Sequence, residues 1–188
     1  MTDLTKEKKL SNIYFLTTCA IMAALLCIIS PLSIPIGEVP ISLATFIIYV
    51  AVWLLGPYGA TLSVIVYLFL GIVGLPVFTG GVGGIGKLAG PTGGYLAGYI
   101  ILAFVSGLFL KLSNRNLVVT IIGMIIATAI LYAFGTTWFI IQINSDLANA
   151  MKVCVLPFIP FDLVKIGLAA VIGKPALKGL SKAGLDID

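Results

Sequence analysis

Two ionisable side chains stand in a stretch that is otherwise apolar. Asp162 and Lys165 lie three residues apart in IPFDLVKIGLAAVI, and an i,i+3 spacing puts both on one helix face. In a span over about 151–172 they sit about 10–14 residues from the outer end, roughly 15–20 Å deep at 1.5 Å per residue. A charge at mid-bilayer costs about 2.5–3.5 kcal/mol on insertion scales, so such a residue faces a cavity or a partner. The pair could simply neutralise itself and lock a bundle. It could also be a ligand site, the usual meaning of ionisable groups inside a membrane span. Asp162 would then accept N–H donors, and Lys165 would meet a carboxylate or a carbonyl oxygen.

A second group of residues lies in the segment from Gly71 to Gly98, which holds eleven of the 21 glycines together with Lys87. No Gly-Lys-Ser/Thr ending follows a strand, and no βαβ context surrounds the glycines, so neither a phosphate loop nor a dinucleotide fingerprint is present. Glycine lets backbone approach a ligand or a neighbouring helix closely. The segment is either a flexible outer loop or a loop folded over an outward-facing pocket, with Lys87 as a second cation at the mouth. Tyr95, Trp138 and Gln142 fall in the outer half of their spans and could line such a pocket. In the first span, Ala20 and Ala24 form a small-xxx-small pair that permits close helix contact, inside the protein or with a partner.

The elements that carry these residues follow from composition. The 188 residues are 60% hydrophobic and 10% charged, with a mean hydropathy of +1.19. A soluble domain is about 45–50% apolar and roughly 25% charged, so a soluble enzyme, a disulfide-stapled domain and a disordered chain are excluded. The net charge of +4 comes from few residues and gives no case for a nucleic-acid partner. With no histidine, zinc, di-iron and histidine-triad chemistry find no ligands or base. Cys19, Cys27 and Cys154 sit in apolar stretches and read as small core residues. The polar start followed by an apolar run resembles a signal peptide, but 25–36 offers no good cleavage site, so the run is expected to be retained.

Breaks at proline, glycine and charge divide the chain into six expected spans, about 13–29, 41–55, 58–75, 95–112, 117–143 and 151–172. The loop 30–40 carries Pro31, Pro35 and Pro40, and the last span carries Pro157 and Pro160 in its first half. The expected fold is all-α: one polytopic membrane domain, a bundle of six transmembrane helices. Eight of the eleven basic residues (Lys6, Lys8, Lys9, Lys111, Arg115, Lys174, Lys178 and Lys182) fall on one side of such a bundle. The positive-inside rule makes that side cytoplasmic, with both termini.

The strings GIVGLPVF at 71–78, Gly80-Gly81 and GPTGGYLAG at 90–98, with VPIS at 39–42, Gly56-Pro57 and Asp162-x-x-Lys165, resemble the BioY family over roughly Ala20 to Ala170. One departure is Ala44, where the family usually has glutamine. The resemblance implies the biotin-binding S component of an energy-coupling factor (ECF) transporter in the cell membrane. Its partners would be a membrane coupling protein (the T component) and two ATPase subunits, with no cofactor of its own and no catalytic residues. The substrate-binding candidates are Asp162, Lys165, Lys87, Thr92, Tyr95, Gln142 and Gly84, and the partner-binding candidates are Ala20 and Ala24. An S component for another vitamin, an integral-membrane enzyme and an assembly subunit with a locked charge pair are the alternatives.

Overall fold

The computed structural model describes residues 2–34 and 40–182, with side chains described for 12–33 and 40–179. Pro35 and the side chains of Lys6, Lys8, Lys9 and Lys182 lie outside these residues. Seven helices and one small hairpin follow in the order α1 (Thr2–Ile29), β1 (Ser33–Ile34), β2 (Ile41–Ser42), α2 (Ala44–Ile72), α3 (Ile85–Ala89), α4 (Gly93–Leu112), α5 (Leu117–Ile143), α6 (Leu147–Cys154) and α7 (Phe158–Lys182). The two strands pair antiparallel, Ser33 with Ser42 and Ile34 with Ile41. The expected loop at 30–40 is thus partly a hairpin.

Among the described residues, four helices are long and apolar enough to cross a membrane, or five if α6 and α7, bent by 40° at their break, count as one span. The expected spans two and three run together as α2, interrupted at Gly56 with φ 64 and ψ −164. That conformation is open to glycine, and Pro57 brings no N–H to continue the ladder. The helix is kinked there. Thr45, before the break, bonds Asp162. Pro57 lies against Gly107 near the far end of α4, where a Cβ on Gly107 would stand 2.4 Å from Pro57 Cα. Tyr67, after the break, returns to Ser30, their hydroxyls 2.6 Å apart, and Ser42 Oγ donates to the Ser30 carbonyl at 3.3 Å.

The expected last span is also corrected. Instead of one helix over 151–172, the short α6 ends at Cys154 and α7 begins at Phe158. Pro157 precedes α7 and Pro160 sits in its first turn, where a missing N–H costs nothing. Asp162 therefore lies in the second turn of α7. In contrast, α5 has the bounds the sequence predicts. The Asn116 side chain accepts from the N–H groups of Val118 and Val119, and Asn144 closes the helix in the left-handed region, a usual asparagine role. The core gathers between α1, α2, α4, α5 and α7, with Trp53, Tyr49, Tyr67 and Phe78 fully buried.

Candidate ligand-binding site

Toward the end of the bundle where α4 begins lies a cavity of about 640 Å³, its open mouth included. Side chains from several regions line it, Cys154 of α6 among them. Ser42 and Thr45 come from β2 and the start of α2, Thr79 and Lys87 from the glycine-rich segment, and Thr92, Tyr95 and Tyr99 from the start of α4. Tyr132 comes from α5, and Phe158, Asp162 and Lys165 from α7.

The glycine-rich segment folds over this cavity. Phe78 and Val82 form an isolated antiparallel bridge, and α3 follows. Gly84 N-caps α3 at φ 94, donates its N–H to the Gly71 carbonyl at 2.7 Å and accepts from the Lys87 N–H at 3.2 Å. It aims the turn that carries Lys87 but does not line the cavity. Trp138 Nε1 donates to the Gly90 carbonyl at 3.0 Å, tying the entry to α4 onto α5. The Tyr95 hydroxyl pairs with that of Thr136 at 2.7 Å and donates to the Cys154 carbonyl at 3.4 Å. A Cβ on Gly135 would stand 2.4 Å from the Tyr95 ring, so glycine there gives the ring its seat.

Asp162 and Lys165 form the buried floor. Their side chains are 5% and 8% exposed and make an ion pair of 2.9 Å. Lys165 Nζ also donates to the Ser42 carbonyl at 2.8 Å and to Thr45 Oγ1 at 3.1 Å. An ammonium has three N–H donors, and here all three meet protein acceptors. Asp162 Oδ1 accepts from Lys165 and from Thr45 at 3.2 Å, while Oδ2 accepts from the Tyr132 hydroxyl at 2.5 Å. A carboxylate offers about four lone-pair sites, so one on Oδ2 stays open to a further donor. Asp162 keeps an acceptor, whereas Lys165 meets a ligand only by giving up a protein contact. At the rim, no described residue accepts a hydrogen bond from the Lys87 ammonium. The floor pair neutralises itself, and among the described residues the charge at the mouth is that of Lys87.

Gln142 is not part of the cavity. It lies in the exposed last turn of α5, beyond Phe139, the last α5 residue buried in the bundle. Ala20 and Ala24 are exposed on α1, while Cys19, Met22, Ala23 and Leu26 of the same helix are buried. The residues that sequence reasoning missed as site components are Ser42, Thr45, Tyr99 and above all Tyr132. Their only signal is a hydroxyl within an apolar run, which packing alone explains equally well. No group of three or more His, Cys, Asp or Glu side chains able to hold a metal occurs among the described residues.

An apolar helical bundle with a partly polar, aromatic-walled cavity near one end is built to hold a small solute at a membrane. The comparisons with known proteins narrow that class. The BioY family profile matches residues 4–182, and the chain belongs to this family. It is 37% identical over 157 residues to the biotin transporter BioY of Thermotoga maritima, covering 84% of this chain and 92% of that one. It is 38% identical over 183 residues to the biotin transporter BioY of Lactococcus lactis subsp. cremoris, covering 92% of each. Its structure matches the crystal structure of the S-component for biotin from an ECF-type ABC transporter with a TM-score of 0.83 and 35% identity, covering 95% of both chains. These relatives are transporters, not enzymes, and the chain is a multi-pass protein of the cell membrane.

Proposed function

We propose that this chain is the S component of an ECF-type transporter and captures biotin in the cavity between the glycine-rich segment and α7. The observation that carries the reading is the division of charge in the cavity: a neutralised floor with one open carboxylate position, and at the rim the Lys87 ammonium, which meets no acceptor among the described residues. Biotin has ureido N–H donors at one end, an apolar thiophane body and a carboxylate at the other. The ureido end suits Asp162 Oδ2, the thiophane suits the walls of Tyr95, Tyr99, Leu131 and Phe158, and the carboxylate suits Lys87.

Six crossings support this function better than five. The contacts of Thr45, Pro57 and Tyr67 carry α2 from the cavity end to the opposite end and back, so its two arms are read as separate spans. The basic residues Lys111, Arg115, Lys174 and Lys178 then gather opposite the cavity. That end is cytoplasmic by the positive-inside rule, and the cavity faces outward. The exposed Ala20 and Ala24 supply a close-packing face for a membrane coupling protein, with two ATPase subunits beneath it.

The test is calorimetric titration of the purified chain with biotin, biotin amide and a panel of other vitamins. Biotin should bind at one site per chain and more tightly than its uncharged amide. Tighter binding of another vitamin, or no heat with any of them, would overturn the assignment.

A further inference from the structure

A second groove runs toward the opposite end of the bundle, between the start of α5 and α7 from its middle at Gly167 to Lys178. It holds about 810 Å³, its open side included, and its lining includes Leu117, Ile121, Gly167, Val171, Lys174 and Lys178. Its walls are apolar and its end is cationic. Lys174 and Lys178 are one helical turn apart and share a face. The only carboxylates with described side chains are Asp146 and Asp162. One caps α6 and the other forms the cavity floor, both at the far end, so neither neutralises this pair. Val171 is 70% exposed, and a Cβ on Gly167 would meet nothing within 4 Å.

We propose that this groove is a binding site for an anionic phospholipid, with an acyl chain along Leu117, Ile121, Gly167 and Val171 and the phosphate held by Lys174 and Lys178. The charge pattern selects the occupant. An apolar trough alone would take any lipid tail, but a trough ending in two neighbouring cations complements a molecule with a long apolar part and a fixed negative charge at one end. Basic pockets between spanning helices on the cytoplasmic side recognise headgroups in this way. The site is separate from the biotin cavity and does not depend on the identity of the ligand bound there.

Native mass spectrometry of the detergent-purified chain with added phosphatidylglycerol or phosphatidylcholine tests this. The wild type should retain phosphatidylglycerol in preference to phosphatidylcholine. A lysine near a membrane surface contributes enough to change affinity about fivefold, so Lys174→Gln with Lys178→Gln should weaken phosphatidylglycerol retention roughly 25-fold. Lys152→Gln, on α6 away from the groove, should leave it unchanged. Gly167→Phe should lower retention of both lipids by filling the trough with the lysines intact. sn-Glycerol 3-phosphate, which has the phosphate without the chains, should not compete. Equal phosphatidylglycerol retention by wild type and the double lysine variant would overturn the proposal. So would competition by the free glycerol phosphate, which would make this a soluble-anion site. Loss of a co-expressed coupling protein from the lysine variant with lipid retention unchanged would also overturn it and assign the groove to a protein partner.

Discussion

The proposed site gives the pair at the cavity floor two roles that can be measured apart. In Asp162→Asn the side chain keeps its shape but loses its charge, and one of its oxygens becomes a donor. A ligand N–H then meets no ionised acceptor. A hydrogen bond to a charged group contributes about 1.5–3 kcal/mol, so biotin should bind roughly 10–150-fold more weakly. The same change leaves the Lys165 ammonium buried with neutral acceptors alone, the Ser42 carbonyl and the Thr45 hydroxyl among them. Breaking one side of a buried pair costs about 3–5 kcal/mol, which at about 2–4 °C per kcal/mol lowers the melting temperature by roughly 6–20 °C. Lys165→Met should lower it comparably, because the carboxylate then keeps only Thr45 and Tyr132 as donors. Combining the two substitutions removes both charges. Thermal stability should then recover most of the loss, while affinity stays at least as poor as in Asp162→Asn. The assay is thermal unfolding and biotin titration on the two single variants and the double variant, each checked for monodisperse elution. The reasoning fails if the double variant regains near-native affinity, since the pair would then only neutralise itself. Near-native affinity in Asp162→Asn alone would move the ureido contact elsewhere in the cavity.

Three other expectations follow from the geometry. Lys87→Gln should weaken biotin by about tenfold, as for loss of one charge-assisted bond, and leave biotin amide unchanged; equal losses for both ligands would remove Lys87 from the carboxylate. Gly107→Val should destabilise the fold, because its Cβ would enter the backbone of Pro57 at the α2 break; an unchanged melting temperature would show that the break has room to shift. Ala20→Trp or Ala24→Trp should leave biotin titration intact and abolish pull-down of the coupling protein, and normal assembly by both variants would move the docking surface off this face of α1.

Local chemistry made part of this molecule legible from its sequence. Apolar composition and length require a membrane bundle. Asn116 and Asn144 mark both ends of α5 because capping depends on residues within one turn. The Gly56-Pro57 pair marks the break in α2, since one residue takes a positive φ and the other lacks an N–H. The i,i+3 spacing of Asp162 and Lys165 already puts them side by side. Helix ends set by tertiary contact were less legible: the last span divides at 155–157, and α7 begins at Phe158. Gln142 was placed by depth along its helix, but its turn lies beyond the part of α5 that the bundle covers. What occupies each hydrogen-bonding position of the charged pair was decided only by the tertiary structure. Ser42, Thr45 and Tyr132 reach the pair from 123, 117 and 30 residues away, and no pattern of spacing encodes such distant partners. Low-dielectric burial makes an unmet donor or acceptor costly, so packing brings hydroxyls and a loop carbonyl to the pair. That satisfaction spends every donor of Lys165 and leaves one acceptor on Asp162, which sets two similar-looking candidates apart.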